Sequence, residues 1–140
     1  MQVNKLDHVN VHTANLAGMV EWYGRVLGMR AGDRPPFPFP GAWLYCGGEP
    51  TVHLVGVDEK PEKPGKLPQL EHFAFSATGL KEFMGRLEHD KVRYEARKVP
   101  RLGSVQVNIW DPDGNHIHID FAPEESAGVE LKEVTTGGMR

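Results

Sequence analysis

The histidines of this sequence are the residues whose type and spacing most clearly point to chemistry. Of the seven, His8 and His72 lie 64 residues apart, each between an acidic residue and an apolar one. His53 and His118 lie 65 residues apart, each flanked by apolar residues typical of β-strands. Neutral imidazole is the commonest metal ligand in proteins. These four equivalent positions therefore predict a metal site with four nitrogen ligands, or three and a water.

The competing interpretation is that these histidines are structural. A single histidine on a strand is more often a hydrogen-bonded core or surface residue, but four at equivalent repeat positions are not independent. His12 shares a strand face with His8 because side chains alternate along a strand, and His116 stands in the same relation to His118. Both are expected to contact substrate or to support the ligands. His89, between two acidic residues, is expected to be solvated.

The strands that carry these histidines have one apolar and one polar face. The polar faces contain His, Asn, Gln and Ser with few formal charges. One side of an antiparallel sheet can simply be solvated, but such faces are usually rich in charged residues. The composition favours a lined cavity with aromatic walls and a few convergent polar groups, as in small-molecule sites. The predicted substrate contacts are Trp43, Asn10, Gln106, Asn108, Trp110, His116 and Arg101.

The histidine repeat belongs to a longer duplication that predicts the secondary structure. Helical apolar spacing follows each first strand, with Leu16, Met19, Val20 and Tyr23 in one half and Leu80, Phe83, Met84 and Leu87 in the other. Asn15 is the predicted N-cap of the first helix. Tight-turn sequences at 47–49 and 111–114 precede the later histidine strands. Each half therefore predicts strand, helix and three strands, an α+β fold of two βαβββ modules.

The predicted organisation is a single domain over residues 1–123. Module 1 covers about 4–57 and module 2 about 69–122, with an exposed proline-rich linker at 58–68. A module of about 65 residues with one helix buries little core alone, so we expect the modules to pack together or to exchange with a second chain. Residues 124–140 are expected to form a C-terminal tail, either mobile or lying on a partner subunit.

The composition limits the class of protein. The chain has 140 residues, a mass of 15.6 kDa and 25% charged residues, which fits a soluble globular domain. No apolar run approaches the roughly 18 residues of a membrane span. A net charge of −3 and a pI of about 6.1 give no electrostatic basis for binding nucleic acid. The single cysteine, Cys46, which is expected in the core, and the lack of a secretory leader favour a cytoplasmic location.

Residues 35–40 contain four prolines and two phenylalanines and precede the predicted third strand. Proline cannot join a central strand ladder, so we expect a loop at the rim of the sheet. This loop is either a rigid connection, or a lid over the substrate or a dimer contact.

The motifs of the chain resemble those of the vicinal oxygen chelate superfamily, which includes glyoxalases, fosfomycin-resistance proteins and extradiol dioxygenases. The most specific is Asp111-Pro112-Asp113-Gly114-Asn115-His116-Ile117-His118, which resembles the turn and strand that end in a metal ligand in that family. Supporting segments are Leu6-Asp7-His8-Val9, Trp22-Tyr23-Gly24-Arg25-Val26-Leu27-Gly28-Met29 and Leu70-Glu71-His72-Phe73. The resemblance covers roughly residues 4–122 and is specific for the superfamily, not for one reaction.

The resemblance implies a glyoxalase/bleomycin resistance-like fold, in which two βαβββ modules form a curved mixed-sheet cup around one divalent metal (Zn, Ni, Fe, Mn or Co). The family's ligand positions fall on His8, His53, His72 and His118. Many members pair their modules across a homodimer, which we expect here. The sequence departs from the family at two ligand positions: His53 stands where glyoxalase I-like members usually have Glu or Gln, and His118 stands where the family usually has Glu. Four neutral ligands leave the full charge on the metal and predict a stronger Lewis acid.

The expected function is a metal-dependent enzyme of the lyase or isomerase type, which stabilises an enolate or polarises a carbonyl of a small oxygenated substrate. Asp120, on the face of His118, and Tyr45 are the candidates for the catalytic base. Arg97 and Arg101 either steer an anionic substrate or are solvated surface charges. The alternatives are a dioxygenase-like oxidoreductase with a redox metal, and a small-molecule binding or resistance protein without enzymatic activity.

Overall fold

The structure, a computed structural model, describes residues 1–2, 4–62, 70 and 72–131, in two compact units, Met1–Lys66 (unit 1) and Leu67–Arg140 (unit 2). Unit 1 contains β1 (Val9–Thr13), α1 (Leu16–Leu27), β2 (Arg30–Gly32), β3 (Gly41–Cys46) and β4 (Glu49–Gly56). Unit 2 contains β5 (His72–Ala77), α2 (Leu80–His89), β6 (Tyr94–Lys98), β7 (Val105–Trp110), β8 (His116–Phe121) and a 3-10 turn at Pro123–Ser126. Glu71, residues 63–68 of the predicted linker and residues 132–140 of the predicted tail lie outside the described residues.

Each unit contains one four-stranded mixed sheet, and the two sheets have the same topology. The strand orders are β1-β4-β3-β2 and β5-β8-β7-β6. The first and last strands of each unit pair in parallel, and the other neighbours are antiparallel. The register places Asn10 opposite His53 and Ala74 opposite His118, so both later histidines occupy the same place in their sheets. The predicted α+β class with two βαβββ modules is confirmed.

Helix α1 begins and ends at local sequence signals. The side chain of Asn15, the predicted N-cap, accepts a hydrogen bond from the Gly18 backbone N–H at 3.2 Å. The helix ends at Gly28, whose φ of 67° glycine adopts without steric cost. Leu16 and Val20, predicted for the buried stripe, are only half-buried, because burying the large ring of Trp22 removes more apolar area. The buried residues of α1 are Met19, Trp22, Tyr23 and Val26.

Helix α2 is capped by a distant residue. Its N-cap, Gly79, has no side chain that could accept a hydrogen bond. Instead, Glu125 Oε1 accepts from the backbone N–H groups of Gly79 and Leu80, at 2.7 and 3.1 Å. A carboxylate at a helix N-terminus also interacts favourably with the helix dipole. The start of the predicted tail therefore contacts its own unit. The predicted buried stripe of α2 is confirmed: Leu80, Phe83, Met84 and Leu87.

The apolar strand faces form the core of each unit. Leu44 and Val52 in unit 1 and Ile109 and Ile117 in unit 2 are fully buried. The prediction that Cys46 lies in the core is wrong, because this residue ends β3 beside the Gly47–Gly48 turn and is exposed. Among the described residues, no helix is both long enough and apolar enough to cross a membrane.

The turn between β7 and β8 fixes the start of the histidine strand. Asp111 is 4% exposed, and its Oδ1 accepts hydrogen bonds from the backbone N–H groups of Asp113 and Asn115, at 3.0 and 2.8 Å. Its Oδ2 accepts from Asn115 Nδ2 at 2.8 Å. Gly114 has a φ of 82°, which favours glycine. One buried carboxylate thus organises the turn that leads directly into His116.

Candidate metal centre

Three histidines of unit 2 form a cluster on one face of its sheet. His72 lies on β5 directly opposite His116 on β8, and His118 follows two residues later on the same face. The His72 and His118 rings stack, with centroids 3.9 Å apart, and the His116 ring lies 4.8 Å from the His118 ring. One ligand nitrogen from each residue lies within 4.8 Å of the other two. Because Zn–N bonds measure about 2.0–2.1 Å, small ring movements would bring all three to one ion.

Asn108 determines which nitrogen of His116 carries the proton. The buried Asn108 side chain donates from Nδ2 to the Glu95 carbonyl at 3.2 Å, so its Oδ1 is the acceptor. That Oδ1 lies 3.0 Å from His116 Nε2, which must therefore carry the proton. His116 Nδ1 then holds the lone pair. This is the arrangement in which an outer hydrogen bond orients a ligating imidazole.

The His116 ring is also held from its face. The Trp110 ring lies parallel to it at 10°, with centroids 5.2 Å apart. The Arg93 guanidinium carbon lies 4.6 Å from the centroid of Trp110, within the range of a cation–π contact. Trp110 and Asn108, two of the predicted substrate contacts, thus both contact a histidine of the cluster.

Asp120 lies on the same sheet face as His118 and opposite Gln106. Its Oδ1 is buried and accepts no hydrogen bond from the described residues. Burial raises the pKa of the Asp120 carboxyl, and the nearby His72 partly opposes this rise. Gln106 Oε1 accepts hydrogen bonds from Arg97 Nε and Nη2, at 3.2 and 3.1 Å.

Unit 1 contains a matching histidine pair. The His8 and His53 rings stack, with centroids 4.0 Å apart and planes at 13°. The indole of Trp43 stacks on His53 at 4.1 Å. His53 Nε2 lies 2.9 Å from the Pro50 carbonyl, which only accepts, so His53 Nδ1 is the nitrogen with the lone pair. Burial and, less strongly, His8 lower the pKa of His53, so its neutral form, which metals bind, is favoured.

The remaining predicted residues have different surroundings. Asn10 and Trp43 line a cavity beside His53. The Tyr45 hydroxyl donates to the Asp33 carbonyl at 2.6 Å, which commits its proton to the backbone. Arg101 is exposed in the turn after β6, where it has a φ of 68°.

Two features of these surroundings were not predicted. Glu95, 8% exposed, lies opposite Asn108 and therefore on the face of the cluster. Its spacing of two residues from Arg93 and Arg97 indicates that the three share one strand face. Only the β6–β7 register shows that this is the face of the histidine cluster. Arg34 lines the cavity beside His53, together with residues of the proline-rich loop. The sequence places it only at the start of that loop.

A family model described as the Glyoxalase/Bleomycin resistance protein/Dioxygenase superfamily matches residues 5–119. A lactoylglutathione lyase from Agrobacterium tumefaciens is 21% identical, with a TM-score of 0.66, over 89% of this chain and 98% of that one. A glyoxylase/bleomycin resistance protein/dioxygenase domain from Frankia sp. EAN1pec is 16% identical, with a TM-score of 0.71, over 86% and 99%. A glyoxalase family protein from Enterococcus faecalis is 22% identical, with a TM-score of 0.65, over 83% and 96%. These identities show the fold alone, and no curated protein matches the sequence significantly.

Proposed function

Because this chain belongs to the Glyoxalase/Bleomycin resistance protein/Dioxygenase superfamily, we propose that it is a metal-dependent enzyme of the lyase or isomerase type that acts on a small oxygenated substrate. The observation that carries the proposal is the cluster of His72, His116 and His118, whose ligand nitrogens lie within 4.8 Å of one another. A divalent metal would supply Lewis-acid polarisation of a substrate oxygen at this site.

The proposed ligands are His8, His53, His72 and His118, and the cluster adds His116 as a further nitrogen donor. Two observations support this donor set. His53 and His116 each donate from Nε2 to an acceptor, so in both rings Nδ1 is the nitrogen that carries the lone pair. The pKa of His53 is lowered, so its neutral form is present at neutral pH. We also propose that the protein is a homodimer, as expected from the small size of each module.

Asp120 is the proposed base. Because burial raises the pKa of its carboxyl, the ionised group binds a proton more strongly than an exposed aspartate does. Its buried Oδ1, which accepts no hydrogen bond from the described residues, is the atom that would take the proton. Tyr45 is the weaker candidate, because its hydroxyl already donates to the Asp33 carbonyl. Gln106, opposite Asp120, would orient the substrate through Nε2, since its Oε1 is engaged by Arg97.

The test is elemental analysis of protein purified without added metal. The proposal predicts a stoichiometric divalent metal that is lost in His72→Ala and retained in His89→Ala, a matched control on the exposed end of α2. Equal metal content in both variants would contradict the proposed site. Isomerisation of 2-oxoaldehyde–thiol adducts, abolished in Asp120→Asn with metal retained, would then support the reaction type.

A dioxygenase-like oxidoreductase is the second candidate, because an all-histidine donor set also suits redox metals such as iron. Iron in the purified protein and oxygen uptake with catechols would favour this reaction over isomerisation. A protein that contains no metal but binds small molecules would instead be the non-enzymatic binding protein.

A further inference from the structure

A cavity of about 120 Å³ lies beside His53 in unit 1. One side of it is formed by Arg34, Phe37 and Phe39, which belong to the loop between β2 and β3. Phe37 and Phe39 are each 42% exposed, so two large apolar side chains face solvent around this opening. A cavity of roughly 150 Å³ lined by apolar side chains encloses benzene, so this smaller opening has room for one ring at most.

The walls of this cavity are flat aromatic surfaces. The Phe37 and Phe39 rings lie nearly parallel at 12°, with centroids 5.2 Å apart. Phe37 lies 6.3 Å from Trp43, which in turn stacks on His53 at 4.1 Å. Aromatic rings interact favourably with another ring at centroid distances of about 4.5–7 Å. The walls therefore favour a planar ring over an aliphatic group of the same size.

Arg34 supplies a positive charge at the same cavity. Its guanidinium carbon lies 5.0 Å from the Phe37 centroid and 5.1 Å from the Phe39 centroid, and Nη2 donates to the Phe39 carbonyl at 3.0 Å. Among the described residues, no carboxylate pairs with it. A guanidinium has five N–H donors, so most remain available to a ligand. Glycine fits at position 41 beside this side chain, since a Cβ there would clash with the Leu54 carbonyl oxygen and would lie 2.8 Å from Arg34 Nη2.

We infer that this cavity binds a single-ring aromatic carboxylate, with the ring against Phe37, Phe39 and Trp43 and the carboxylate on Arg34. A carboxylate is the anion chosen because it matches the planar fork of a guanidinium in a bidentate pair. The inference names the substrate class of the proposed enzyme. It rests on the proposed function in one respect: His53, which borders the cavity, is a proposed metal ligand. The binding itself requires no metal.

The experiment is a titration of metal-stripped and metal-loaded protein with benzoate. Binding is measured by calorimetry and from the indole resonance of Trp43, which is assigned with a Trp43→Phe variant. Arg34→Gln is expected to weaken benzoate binding by about tenfold or more, because hydrogen bonds to a charged group are lost. Arg34→Lys keeps the positive charge but not the planar fork of the guanidinium, so its affinity for benzoate should lie between those of the wild type and Arg34→Gln. Arg30→Gln, which removes an exposed arginine of β2 outside the cavity, should change the affinity less than about twofold.

Two further ligands separate the ring from the charge. Cyclohexanecarboxylate has the charge without the aromatic ring, and benzyl alcohol has the ring without the charge, so both should bind at least about tenfold more weakly than benzoate. Equal binding of cyclohexanecarboxylate would overturn the aromatic assignment. Thermal melting of each variant separates loss of the site from loss of the fold.

The outcomes distinguish this inference from the proposed function. Arg34-dependent binding to metal-free protein supports the inference even if no metal site exists. The inference is overturned if Arg34→Gln does not change benzoate binding, or if benzoate binds only to metal-loaded protein and independently of Arg34. Either outcome leaves the metal proposal intact. A Phe39→Leu variant that changes the sedimentation of the protein but not its benzoate affinity would identify the loop as a subunit interface and would also overturn it.

Discussion

Each unit contains one stacked pair of histidines, but the residues that surround the pair differ between the units. In unit 1 the rings of His8 and His53 stack at 4.0 Å, and in unit 2 those of His72 and His118 stack at 3.9 Å. The pairs occupy equivalent strands in sheets of identical order. The structure therefore has the predicted equivalence of His8 with His72 and of His53 with His118.

The difference between the units lies beside that pair. The position equivalent to His116 is occupied by Thr51 in unit 1, and the position equivalent to Asn108 by Trp43. Unit 2 thus gains a third imidazole and an amide that orients it, whereas unit 1 gains an indole that forms the wall of a cavity. Both units therefore have the same core and the same histidine stack. The neighbouring positions differ: unit 2 has further nitrogen donors there, and unit 1 has an aromatic pocket.

The largest expected effect tests the shared part of this comparison. Leu44 in β3 and Ile109 in β7 are equivalent, fully buried core residues. Replacing either by alanine should lower the free energy of unfolding by about 2–5 kcal/mol, because apolar contacts are lost and a cavity remains. Denaturant unfolding measures this directly. A loss below about 0.5 kcal/mol in one unit alone, as expected of surface positions, would mean that the two cores are not equivalent.

The next effect tests the divergent part. His116→Thr gives unit 2 the residue found in unit 1 and removes a proposed nitrogen donor, so it should weaken metal binding at least as much as the loss of a group that orients a ligand, which costs about 10–100-fold. His89→Thr, which removes the exposed histidine at the end of α2, is the control and should leave the affinity unchanged. Competition with a chromogenic chelator provides the affinities. If both variants bind metal as the wild type does, the third imidazole of unit 2 has no part in metal binding.

Much of this molecule could be predicted from the sequence because its signals are local or repeated. The turn led by Asp111, the cap at Asn15 and the α2 stripe depend on neighbouring residues, and the structure contains all three. The repeat also predicted that His72 and His118 are equivalent to His8 and His53, and each of these two pairs stacks in its own unit.

The rest depends on register and on long-range contacts, which a sequence pattern does not contain. His116 was predicted as a substrate contact, but the β5–β8 register sets it directly opposite His72. Glu95 joins the same face through the β6–β7 register. Arg34 reaches its cavity because the loop folds back onto β3, where Phe37 lies 6.3 Å from Trp43. No periodicity in the chain could have indicated that contact.

A smaller effect distinguishes the two ways of capping the helices. Asn15 caps α1 locally, whereas Glu125 caps α2 from the 3-10 turn. Asn15→Ala should cost about 1 kcal/mol, and Glu125→Ala about 1–2 kcal/mol, because a charged acceptor serving two N–H groups is lost. Glu124→Ala, at the neighbouring exposed position, should be neutral. Thermal unfolding gives the comparison, and equal values for Glu124 and Glu125 would show that the distant cap adds no stability.

The smallest effect concerns a link that unit 2 has between its helix and its edge strand. The Tyr94 hydroxyl donates to Glu88 Oε1 at 2.6 Å, and burial together with this bond raises the pKa of Tyr94 to about 12. Below pH 10 the phenol is protonated in both the folded and the unfolded chain, and the link should contribute about 1 kcal/mol. Between pH 10 and 12 the unfolded chain loses this proton first, so the contribution falls as the pH rises.

Tyr94→Phe should therefore be less stable than the wild type at pH 8, and the gap should close as the pH approaches 12. Denaturant unfolding across this range measures the gap, and absorbance at alkaline pH follows the phenol itself. Glu88→Gln removes the anionic acceptor but leaves the ring half-buried, so it should move the pKa of Tyr94 only part of the way back toward 10.0. A gap that stays constant between pH 8 and pH 12 would mean that the phenol ionises equally in the folded and unfolded chains, and that Glu88 does not hold its proton.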